Sequence, residues 1–345
     1  MTLRIRVEKL EKFIADLFAA KGVNKPQYQS VAHNIVWSEL VGRTNYGVIR
    51  IPILMKRIEK GVLNRDCRPI FEDLSPSAAR LDADNGFGHY AGEIAMSKAV
   101  ALARQNGISV VSVCNSNFFG TGAYFVQQAA SQGMIGFAMS NSFPKVAAYG
   151  GSTPVLGTNP FAFGAPRRIG RSLLVDFATS ALAGSTVREY LAKGLSLPEG
   201  LAVSRDGKPL QDPGKIDEGT LLPFGGPKGY GLSLMVEILA GVLSGAGVSH
   251  GVKSTFTNFA QKSNSGHLFI AFDIGHWMNL NDFFNRFEAF IEILKASESS
   301  GNVRLPGEIR WKNYDTNMRN GILFSNERTA ELECLSRQCG VELPG

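Results

Sequence analysis

The sequence has few of the residues that build metal centres and disulfide frameworks. It contains only four cysteines and five histidines in 345 residues. No CxxC pair and no Cys/His cluster at zinc-like spacing occurs, which excludes the common zinc motifs. We therefore predict no metal site, and we interpret the scattered thiols as those of a reduced, cytoplasmic chain.

Long runs of one residue type are also missing. No stretch of 18 apolar residues occurs, so we expect no membrane span. The N-terminal segment lacks the uninterrupted apolar region and the cleavage site of a signal peptide. The net charge is +6, from 36 basic and 30 acidic residues, but no run of five Lys/Arg is present. This surplus favours small anionic ligands over nucleic acid.

The composition, with 44% hydrophobic and 19% charged residues, is that of a globular chain. Residues 1 to about 62 are predicted to be mostly helical, with breaks at "KGVNKPQ" and "GRTNYG". The first helix is amphipathic, and its apolar stripe consists of Val7, Leu10, Ile14, Leu17 and Phe18.

The rest of the chain alternates strand and helix patterns. "AARLDADNGFGHYAGEIAMSKAVALARQNGISVVSVCNS" predicts strand, turn, helix and strand, and short apolar runs from "MIGFAMSNS" to "SLLVDFATS" predict a compact sheet. "LSLMVEILAGVLSGAG" is apolar nearly all round, so we expect a buried helix. "HLFIAFDI" predicts another strand, and the last segment is mostly helical.

The glycines of "DNGFGHYAG" imitate a dinucleotide-binding fingerprint. That motif also needs an acidic residue near the end of the second strand, to hold the ribose hydroxyls. The second strand here, "ISVVSVCNS", has no carboxylate. A structural turn is the better interpretation.

Two further segments could bind an anion or a nucleotide. In "PFGGPKGYG", Lys228 precedes a helix whose first N–H groups favour anions, although a glycine turn with a solvated lysine explains it equally well. "SLLVDFATS" ends in Asp176, Thr179 and Ser180, which suit ribose hydroxyls or a nicotinamide edge but also serve as helix caps. No GxSxG elbow is present to support a hydrolase.

Several blocks together resemble the malate/L-lactate dehydrogenase-like family, which includes sulfolactate, ureidoglycolate and diketogulonate oxidoreductases and piperideine-2-carboxylate reductases. The resembling blocks are "GVIRIPILMKRIEKG", "MSNSFPKVAAYGGSTPVLGTNPFAFGAP", "VDFATSALAG", "LLPFGGPKGYGLSLMVEILAGVLSGAG" and "RLPGEI". They cover nearly the whole chain in the family's order. "GTNP" together with "GGPKG" is the specific combination.

The resemblance implies an α/β fold in which a non-Rossmann mixed-sheet NAD(P)-binding domain, residues 119–289, packs with an intertwined second unit. That unit is expected to combine the N- and C-terminal segments, residues 1–118 and 290–345. The resemblance also implies a homodimer and an NAD(P)H cofactor, with NADH versus NADPH left open. Arg167, Arg168 and Arg171 could bind a 2′-phosphate or could be ordinary solvated side chains. The implied cofactor contacts are Ser142, Thr158, Ser172, Val175, Asp176, Phe177, Ala178, Pro227, Lys228, Gly307 and Glu308.

The departures from the family pattern concern catalysis. The family's S-H-G turn carries an acid/base histidine, and the corresponding residues here are Asn45, Tyr46 and Gly47. A second histidine, in the family's N-H-F-G block, corresponds to Phe118 in "NSNFFG". Arg50 is kept, and in the family that arginine binds a substrate carboxylate.

Reducing a ketone requires a proton donor whose pKa lies near the working pH, whereas a protonated imine already carries its proton. Tyr46 has an ordinary pKa near 10 and would need neighbouring cations such as Arg43, Arg50 or Lys145 to act as an acid. The sequence therefore favours an NAD(P)H-dependent reductase of a small carboxylate-bearing C=N substrate, with Tyr46 and Phe118 as an apolar wall and Arg50 as the carboxylate clamp. The alternatives are a 2-oxo-acid/2-hydroxy-acid dehydrogenase that uses Tyr46 as acid and base, and a non-catalytic relative that only binds the cofactor.

Overall fold

A computed structural model describes residues 2–298 and 303–345. Within these residues the helices are α1 (Val7–Ala20), α2 (Lys25–Leu40), α3 (Ile51–Glu59), α4 (Gly88–Asn106), α5 (Gly122–Ala130), α6 (Gly184–Ala192), α7 (Pro227–Val236), α8 (Leu280–Ala296), α9 (Glu308–Asn320) and α10 (Asn326–Cys339). The strands are β1 (Leu3–Ile5), β2 (Ile70–Ser75), β3 (Ala78–Asp82), β4 (Ile108–Ser116), β5 (Met134–Ser140), β6 (Val146–Ala147), β7 (Pro154–Leu156), β8 (Phe161–Ala165), β9 (Leu173–Phe177), β10 (Ala202–Ser204), β11 (Gly219–Leu221), β12 (Ser265–Asp273) and β13 (Ile322–Phe324).

The N-terminal helices form where the apolar pattern and the capping residues predict them. The predicted stripe of α1 is buried, because apolar residues at helical spacing share one face. Asn24 begins α2 by accepting a hydrogen bond from the Gln27 N–H, and Pro26 occupies the first turn, where no N–H is needed. The helical prediction for residues 1 to 62 is therefore confirmed, including both breaks.

The main sheet has seven strands in the order β2-β3-β4-β12-β5-β8-β9. β3 and β4 pair in parallel, and the other neighbouring pairs are antiparallel. Residues of α4 and α5 share one apolar core with this sheet. The mixed pairing confirms the predicted mixed-sheet α/β class and differs from the parallel sheet of a Rossmann domain.

A smaller sheet lies beside the main one, with the order β10-β11-β6-β7. The predicted compact sheet between residues 134 and 177 is therefore divided, since β5, β8 and β9 belong to the main sheet and β6 and β7 to the smaller one. The short strands β6 and β7 follow "SNS" and precede "GTNP". This arrangement places both of those loops between the two sheets.

The ends of the chain meet in one helical cluster. The core of α1, α2 and α3 also contains Ile322 and Phe324 of β13 and Leu332 and Leu335 of α10. The main sheet takes β2, β3 and β4 from residues 1–118 and its other strands from residues 119–289. The division of the chain at residues 118 and 290 stays a prediction.

The prediction that "LSLMVEILAGVLSGAG" forms a buried helix is wrong for one of its faces. The segment is helical, as α7 followed by a π-helical turn over Glu237–Val242. Its exposed row consists of Leu234, Ile238, Val242 and Leu243, with Ile238 54% and Val242 59% exposed. A helix that is apolar all round can be buried by another chain as well as by its own.

No helix in the described part of the chain is both long enough and apolar enough to cross a bilayer.

Candidate active site

A cavity of about 380 Å³ lies between the helical cluster and the two sheets. Its walls include all three residues predicted to be catalytic, Tyr46, Arg50 and Phe118. Three of the predicted cofactor contacts, Ser142, Thr158 and Ala178, line the same cavity. Residues that are far apart in sequence thus converge on a single site.

Two consecutive 3₁₀ turns, Thr44–Tyr46 and Val48–Arg50, bring Tyr46 and Arg50 to this cavity. The buried carboxyl group of Glu39 accepts a hydrogen bond from the Val48 N–H at 2.8 Å. A Cβ atom on Gly47 would lie 1.9 Å from Oε1 of Glu39. Gly47 is therefore required by this close approach, and Glu39 fixes the junction between the two turns.

Tyr46 and Phe118 face each other as stacked rings, with an interplanar angle of 5° and 6.0 Å between centroids. Phe118 also contacts the edge of the buried His89 ring, 5.6 Å away. Desolvation lowers the pKa of His89 to about 3, so that imidazole is neutral near pH 7. Phe118 thus separates the cavity from an uncharged histidine.

Burial is the main influence on the ionisation of Tyr46. It raises the pKa of the phenol, and the nearby Asp176 raises it further, while Arg50, Arg43 and Arg310 act in the opposite direction. The raised pKa means that the surrounding arginines do not turn Tyr46 into a phenol that ionises near neutral pH. Its hydroxyl is therefore a weak proton donor.

Arg50 presents a buried positive charge to the cavity. Its Nε–H donates to the Asn45 carbonyl at 2.6 Å, and its guanidinium carbon lies 5.4 Å from the Phe118 ring and 4.9 Å from the Phe256 ring. Burial, with a contribution from Arg188, lowers its pKa to about 10, so it remains charged at pH 7. No carboxylate in residues 2–298 or 303–345 forms an ion pair with it.

The "GTNP" block has a structural explanation in the loop opposite Tyr46. Asn159 is fully buried with φ of 33°. Its Oδ1 accepts from the Ser142 N–H at 3.1 Å, and its Nδ2 donates to Oε2 of Glu237 at 2.7 Å. Ser142 Oγ in turn accepts from the Thr158 N–H at 3.0 Å. Asn159 therefore fixes both polar residues on the cavity wall against the π-helical turn.

A second cavity of about 490 Å³ adjoins the first. The two share four lining residues, namely Asn45, Tyr46, Ala178 and Ala183, so they meet along one edge. The predicted residues Asp176 and Phe177 line this second cavity.

The carboxylate of Asp176 is already held by the protein. Its Oδ2 accepts from Thr121 Oγ1 at 2.6 Å, from the Ala123 N–H at 3.2 Å and from Nη1 of Arg310 at 3.1 Å. Asp176 therefore ties β9 to the starts of α5 and α9.

The remaining predicted cofactor contacts line neither cavity. The carbonyl of Ser172 accepts a hydrogen bond from the Trp311 side chain. Gly307 packs against Leu174. Glu308 forms an ion pair with Lys295 at 3.4 Å. Lys228 is exposed at the start of α7 and has no ion pair within the described ranges. The residues in this group are Ser172, Val175, Pro227, Lys228, Gly307 and Glu308. Their proposed contact with a cofactor stays a prediction.

The three arginines considered for a 2′-phosphate all have protein partners. Arg167 forms a two-point ion pair with Glu288, at 3.1 and 2.7 Å. Arg168 donates to Asn281, and Arg171 donates to Asp315.

The structure adds charged residues to the cavity that sequence reasoning missed. Arg188 on α6 and Asp217, in the 3₁₀ helix Pro213–Glu218 before β11, both line it. Lys145, which was considered only as a neighbour of Tyr46, lines it too. Arg188 occurs in "STVREYLAKG", a segment with the pattern of an ordinary surface helix. No local signal distinguishes such an arginine, because its position depends on how α6 packs.

Comparisons with known proteins identify the family of the chain. A family model described as malate/L-lactate dehydrogenase matches residues 5–333. The chain is 36% identical to a malate dehydrogenase of Pyrococcus abyssi, covering 99% of this chain and 96% of that protein.

The chain is 33% identical to a Delta(1)-pyrroline-2-carboxylate/Delta(1)-piperideine-2-carboxylate reductase of Pseudomonas syringae pv. tomato. The match covers 98% of this chain and 97% of that protein. The solved structure of sulfolactate dehydrogenase from Methanocaldococcus jannaschii superposes with a TM-score of 0.91 at 33% identity, covering 99% of this chain and 98% of that one. These relatives are oxidoreductases of small carboxylates. The chain belongs to the malate/L-lactate dehydrogenase family.

Proposed function

We propose that the chain is an NAD(P)H-dependent reductase of a small, carboxylate-bearing C=N substrate, either an imino acid or a cyclic imine. The observation that carries the proposal is the pairing of Arg50, a buried cation without a carboxylate partner among the described residues, with the stacked rings of Tyr46 and Phe118. The site offers a clamp for a carboxylate and an apolar wall. No histidine is among the described residues that line it, so it lacks the side chain that most often protonates an alkoxide.

A bound nicotinamide would supply the hydride. A protonated imine has the acceptor carbon, the proton and the positive charge already, so hydride addition gives a neutral amine and needs no acid from the protein. Arg50 can bind the adjacent carboxylate through two N–H donors, since only its Nε–H is engaged with Asn45. Phe118 and Tyr46, which line the cavity, can exclude water from a bound substrate.

We propose that the two adjoining cavities hold the dinucleotide and, next to it, the small substrate. They meet at the small side chains of Ala178 and Ala183, which leave room for a planar ring. Ser142 and Thr158 place hydroxyl groups on the wall of the first cavity, and Ser180 and Thr186 place them on the wall of the second. Such groups can hydrogen-bond to a carboxamide, a ribose or a phosphate. Ser180 can only accept, because its hydroxyl already donates to the Leu182 carbonyl at 2.7 Å. We propose NADH or NADPH as the cofactor, in a cytoplasmic enzyme.

We also propose a homodimer. The row of Leu234, Ile238, Val242 and Leu243 is an exposed apolar helix face, which a second copy of the chain would remove from water. Nothing in the proposed chemistry depends on this contact.

A second candidate function is a 2-oxo-acid or 2-hydroxy-acid dehydrogenase that uses Tyr46 as its acid and base. The similarity to a malate dehydrogenase favours it, and the raised pKa of Tyr46 counts against it. A third is a relative that binds the cofactor without turnover.

One assay distinguishes the three candidate functions. Purified protein is mixed with NADH or NADPH and with pyruvate, pyruvate plus methylamine, or Δ1-piperideine-2-carboxylate, and cofactor oxidation is followed at 340 nm. The proposal expects oxidation with the cyclic imine and with pyruvate plus methylamine only. Oxidation with pyruvate alone, at a rate equal to or above that with the imines, would support the dehydrogenase, and no oxidation in any of the three mixtures would support the non-catalytic relative.

A further inference from the structure

A buried histidine is hydrogen-bonded to two serines beside the cavity that contains Tyr46. His267, in β12, lies 2.8 Å through Nδ1 from Ser140 Oγ and 2.9 Å through Nε2 from Ser116 Oγ. His267 and Ser116 are fully buried, whereas Ser140, the last residue of β5, lines the cavity. The group thus connects the interior of the main sheet to the cavity wall.

The imidazole of His267 is neutral and is held in one orientation. Burial lowers its pKa to about 3, although the backbone of Asn117 and Gly266 acts in the opposite direction. The Phe119 ring stacks on the imidazole, with 4.8 Å between the centroids and 7° between the planes. A neutral imidazole carries one N–H and one lone pair on its ring nitrogens. One serine must therefore accept from His267 and the other must donate to it.

Ser116 is the serine that donates. Its hydroxyl has no other hydrogen-bond partner in the described part of the chain, and a buried O–H without an acceptor is strongly unfavourable. The Ser116 O–H therefore points to Nε2, and the imidazole proton lies on Nδ1, next to Ser140. The Ser140 hydroxyl can accept that N–H because its own proton has carbonyl acceptors, Asn141 at 3.0 Å and Gly266 at 3.2 Å.

The Ser140 oxygen therefore meets a cavity ligand as a hydrogen-bond acceptor. A hydroxyl has one proton and two lone pairs, and here the proton and one lone pair are engaged inside the protein. Accepting from a ligand uses the second lone pair, whereas donating would require the hydroxyl to give up its carbonyl partner. The same cavity contains the buried cation of Arg50. It thus combines an acceptor for an N–H group with a cation for a carboxylate.

We propose that Ser140 accepts a hydrogen bond from the iminium N–H of the substrate while Arg50 binds the neighbouring carboxylate. The inference rests on the proposed function and adds a specificity-determining residue to it. A protonated C=N bond has an N–H to donate, and the positive charge on that donor strengthens the hydrogen bond. A ketone presents a lone pair at the same place, which the Ser140 oxygen repels. Ser140 then favours imines over 2-oxo acids and takes no part in proton transfer.

The first test measures the binding of two unreactive planar acids that differ at one ring position. Pyrrole-2-carboxylate has a ring N–H, and furan-2-carboxylate has a ring oxygen in its place. In calorimetry with the unmodified protein and excess NADH or NADPH, we expect pyrrole-2-carboxylate to bind about tenfold more tightly, since furan replaces a hydrogen bond by a lone-pair repulsion. Ser140→Ala should bring the ratio of the two affinities close to one. Ser140→Thr, which keeps the hydroxyl, should retain the preference.

Ser131→Ala is the matched control, because Ser131 is an exposed serine whose hydroxyl donates to the Gln128 carbonyl. This variant should keep the full preference for pyrrole-2-carboxylate. Ser140→Ala removes a partner of His267 and can be less stable, but a ratio of two affinities does not depend on how much of the protein is folded. Equal affinity for both acids in the unmodified protein overturns the proposal. So does an unchanged ratio in Ser140→Ala, and weaker NADH binding in that variant would then assign Ser140 to the cofactor.

A kinetic measurement separates failure of this proposal from failure of the proposed function. Δ1-Piperideine-2-carboxylate is compared with its N-methyl iminium derivative, which has the positive charge but no N–H. Ser140→Ala should lower kcat/KM for the first compound about tenfold more than for the second. If kcat/KM falls equally for both, or for neither, Ser140 does not bind the N–H although the enzyme reduces imines. If neither compound is reduced but the preference for pyrrole-2-carboxylate depends on Ser140, the acceptor stands and the imine function fails.

Discussion

The rings of Tyr46 and Phe118 lie parallel to within 5°, although 71 positions separate them in the chain numbering. Both stand where the family resemblance leads one to expect a histidine. The two departures from the family pattern therefore occur at one place in the structure. Under the proposed function, stacked rings in place of two imidazoles make this wall of the cavity apolar, and the group that is missing is a proton donor.

Tyr46→Phe tests whether the tyrosine hydroxyl donates a proton. The substitution keeps the ring stacked on Phe118 and removes only the hydroxyl. We expect kcat for a cyclic imine to stay within about threefold of the unmodified enzyme, because general acid catalysis, which contributes about a hundredfold or more where it operates, is not used. Steady-state kinetics with Δ1-piperideine-2-carboxylate provides the measurement.

The matched control for this variant is Tyr149→Phe, which removes a hydroxyl from a tyrosine that is 59% exposed and lines neither cavity. A loss of about a hundredfold in Tyr46→Phe, with Tyr149→Phe unaffected, would identify Tyr46 as the acid and support the dehydrogenase alternative.

Arg50→Lys tests the carboxylate clamp. Lysine keeps the charge but loses the planar arrangement of N–H donors that binds a carboxylate at two points. We expect KM for a carboxylate-bearing imine to rise about tenfold to a hundredfold, while KM for the cofactor stays constant. The same imine ring without its carboxylate should be reduced equally by both enzymes.

Arg171→Lys is the control, because Arg171 pairs with Asp315 on the surface and lines neither cavity. If Arg50→Lys raises KM equally for the imines with and without the carboxylate, the clamp is disproved.

The sequence predicts the local elements well because they depend on local patterns. The stripe from Val7 to Phe18 predicts α1, since residues at helical spacing must share a face. The spacing of Tyr46 and Arg50 predicts their proximity, because two short turns cannot carry them far apart. Phe118 joins them only through the family resemblance, since nothing in "NSNFFG" itself indicates its partner.

Other features could not be predicted, for physical reasons. The row that includes Ile238 is apolar whether it is buried in the chain's own core or covered by another chain, so hydrophobicity does not decide between the two. Glu237 is buried inside an apolar segment because Asn159, Asn141 and the Ser249 N–H satisfy its carboxylate, and these partners are distant in sequence. Arg188 reaches the cavity through the packing of α6, which has no local signature.

Glu39 gives the protein a pH dependence of stability. Burial raises the pKa of its carboxyl from an ordinary value of 4.5 to about 7. Because the folded state holds this proton more tightly than the unfolded state, the stabilisation is complete below pH 4.5. It is lost as the pH rises towards 7, at up to about 1.4 kcal/mol per pH unit.

Glu39→Gln should remove this loss. Glutamine keeps an oxygen that can accept from the Val48 N–H, but it does not ionise. The free energy of unfolding of the variant, relative to the unmodified protein, should therefore increase between pH 5 and 7 and level off above 7. His89 and His267, whose pKa values burial lowers to about 3, destabilise the fold in acid, and they cancel in this difference. Urea unfolding at fixed protein concentration measures the difference in the free energy of unfolding between the variant and the unmodified protein. A difference that does not change with pH would contradict a raised pKa for Glu39.

Ile238→Glu tests the proposed homodimer. Ile238 is 54% exposed in the middle of the apolar row, so a carboxylate there costs little in a single chain but would be buried without a partner at a contact between two chains. In sedimentation we expect the unmodified protein to have twice the 37.3 kDa mass of one chain. The variant should dissociate at protein concentrations about a hundredfold higher than those at which the unmodified dimer dissociates.

Leu323→Glu, at a residue of β13 that is also 54% exposed, is the control and should remain dimeric. If the unmodified protein sediments as one chain, the proposed homodimer is disproved. If Ile238→Glu dimerises as well as the unmodified protein, the exposed apolar row is not the dimer interface.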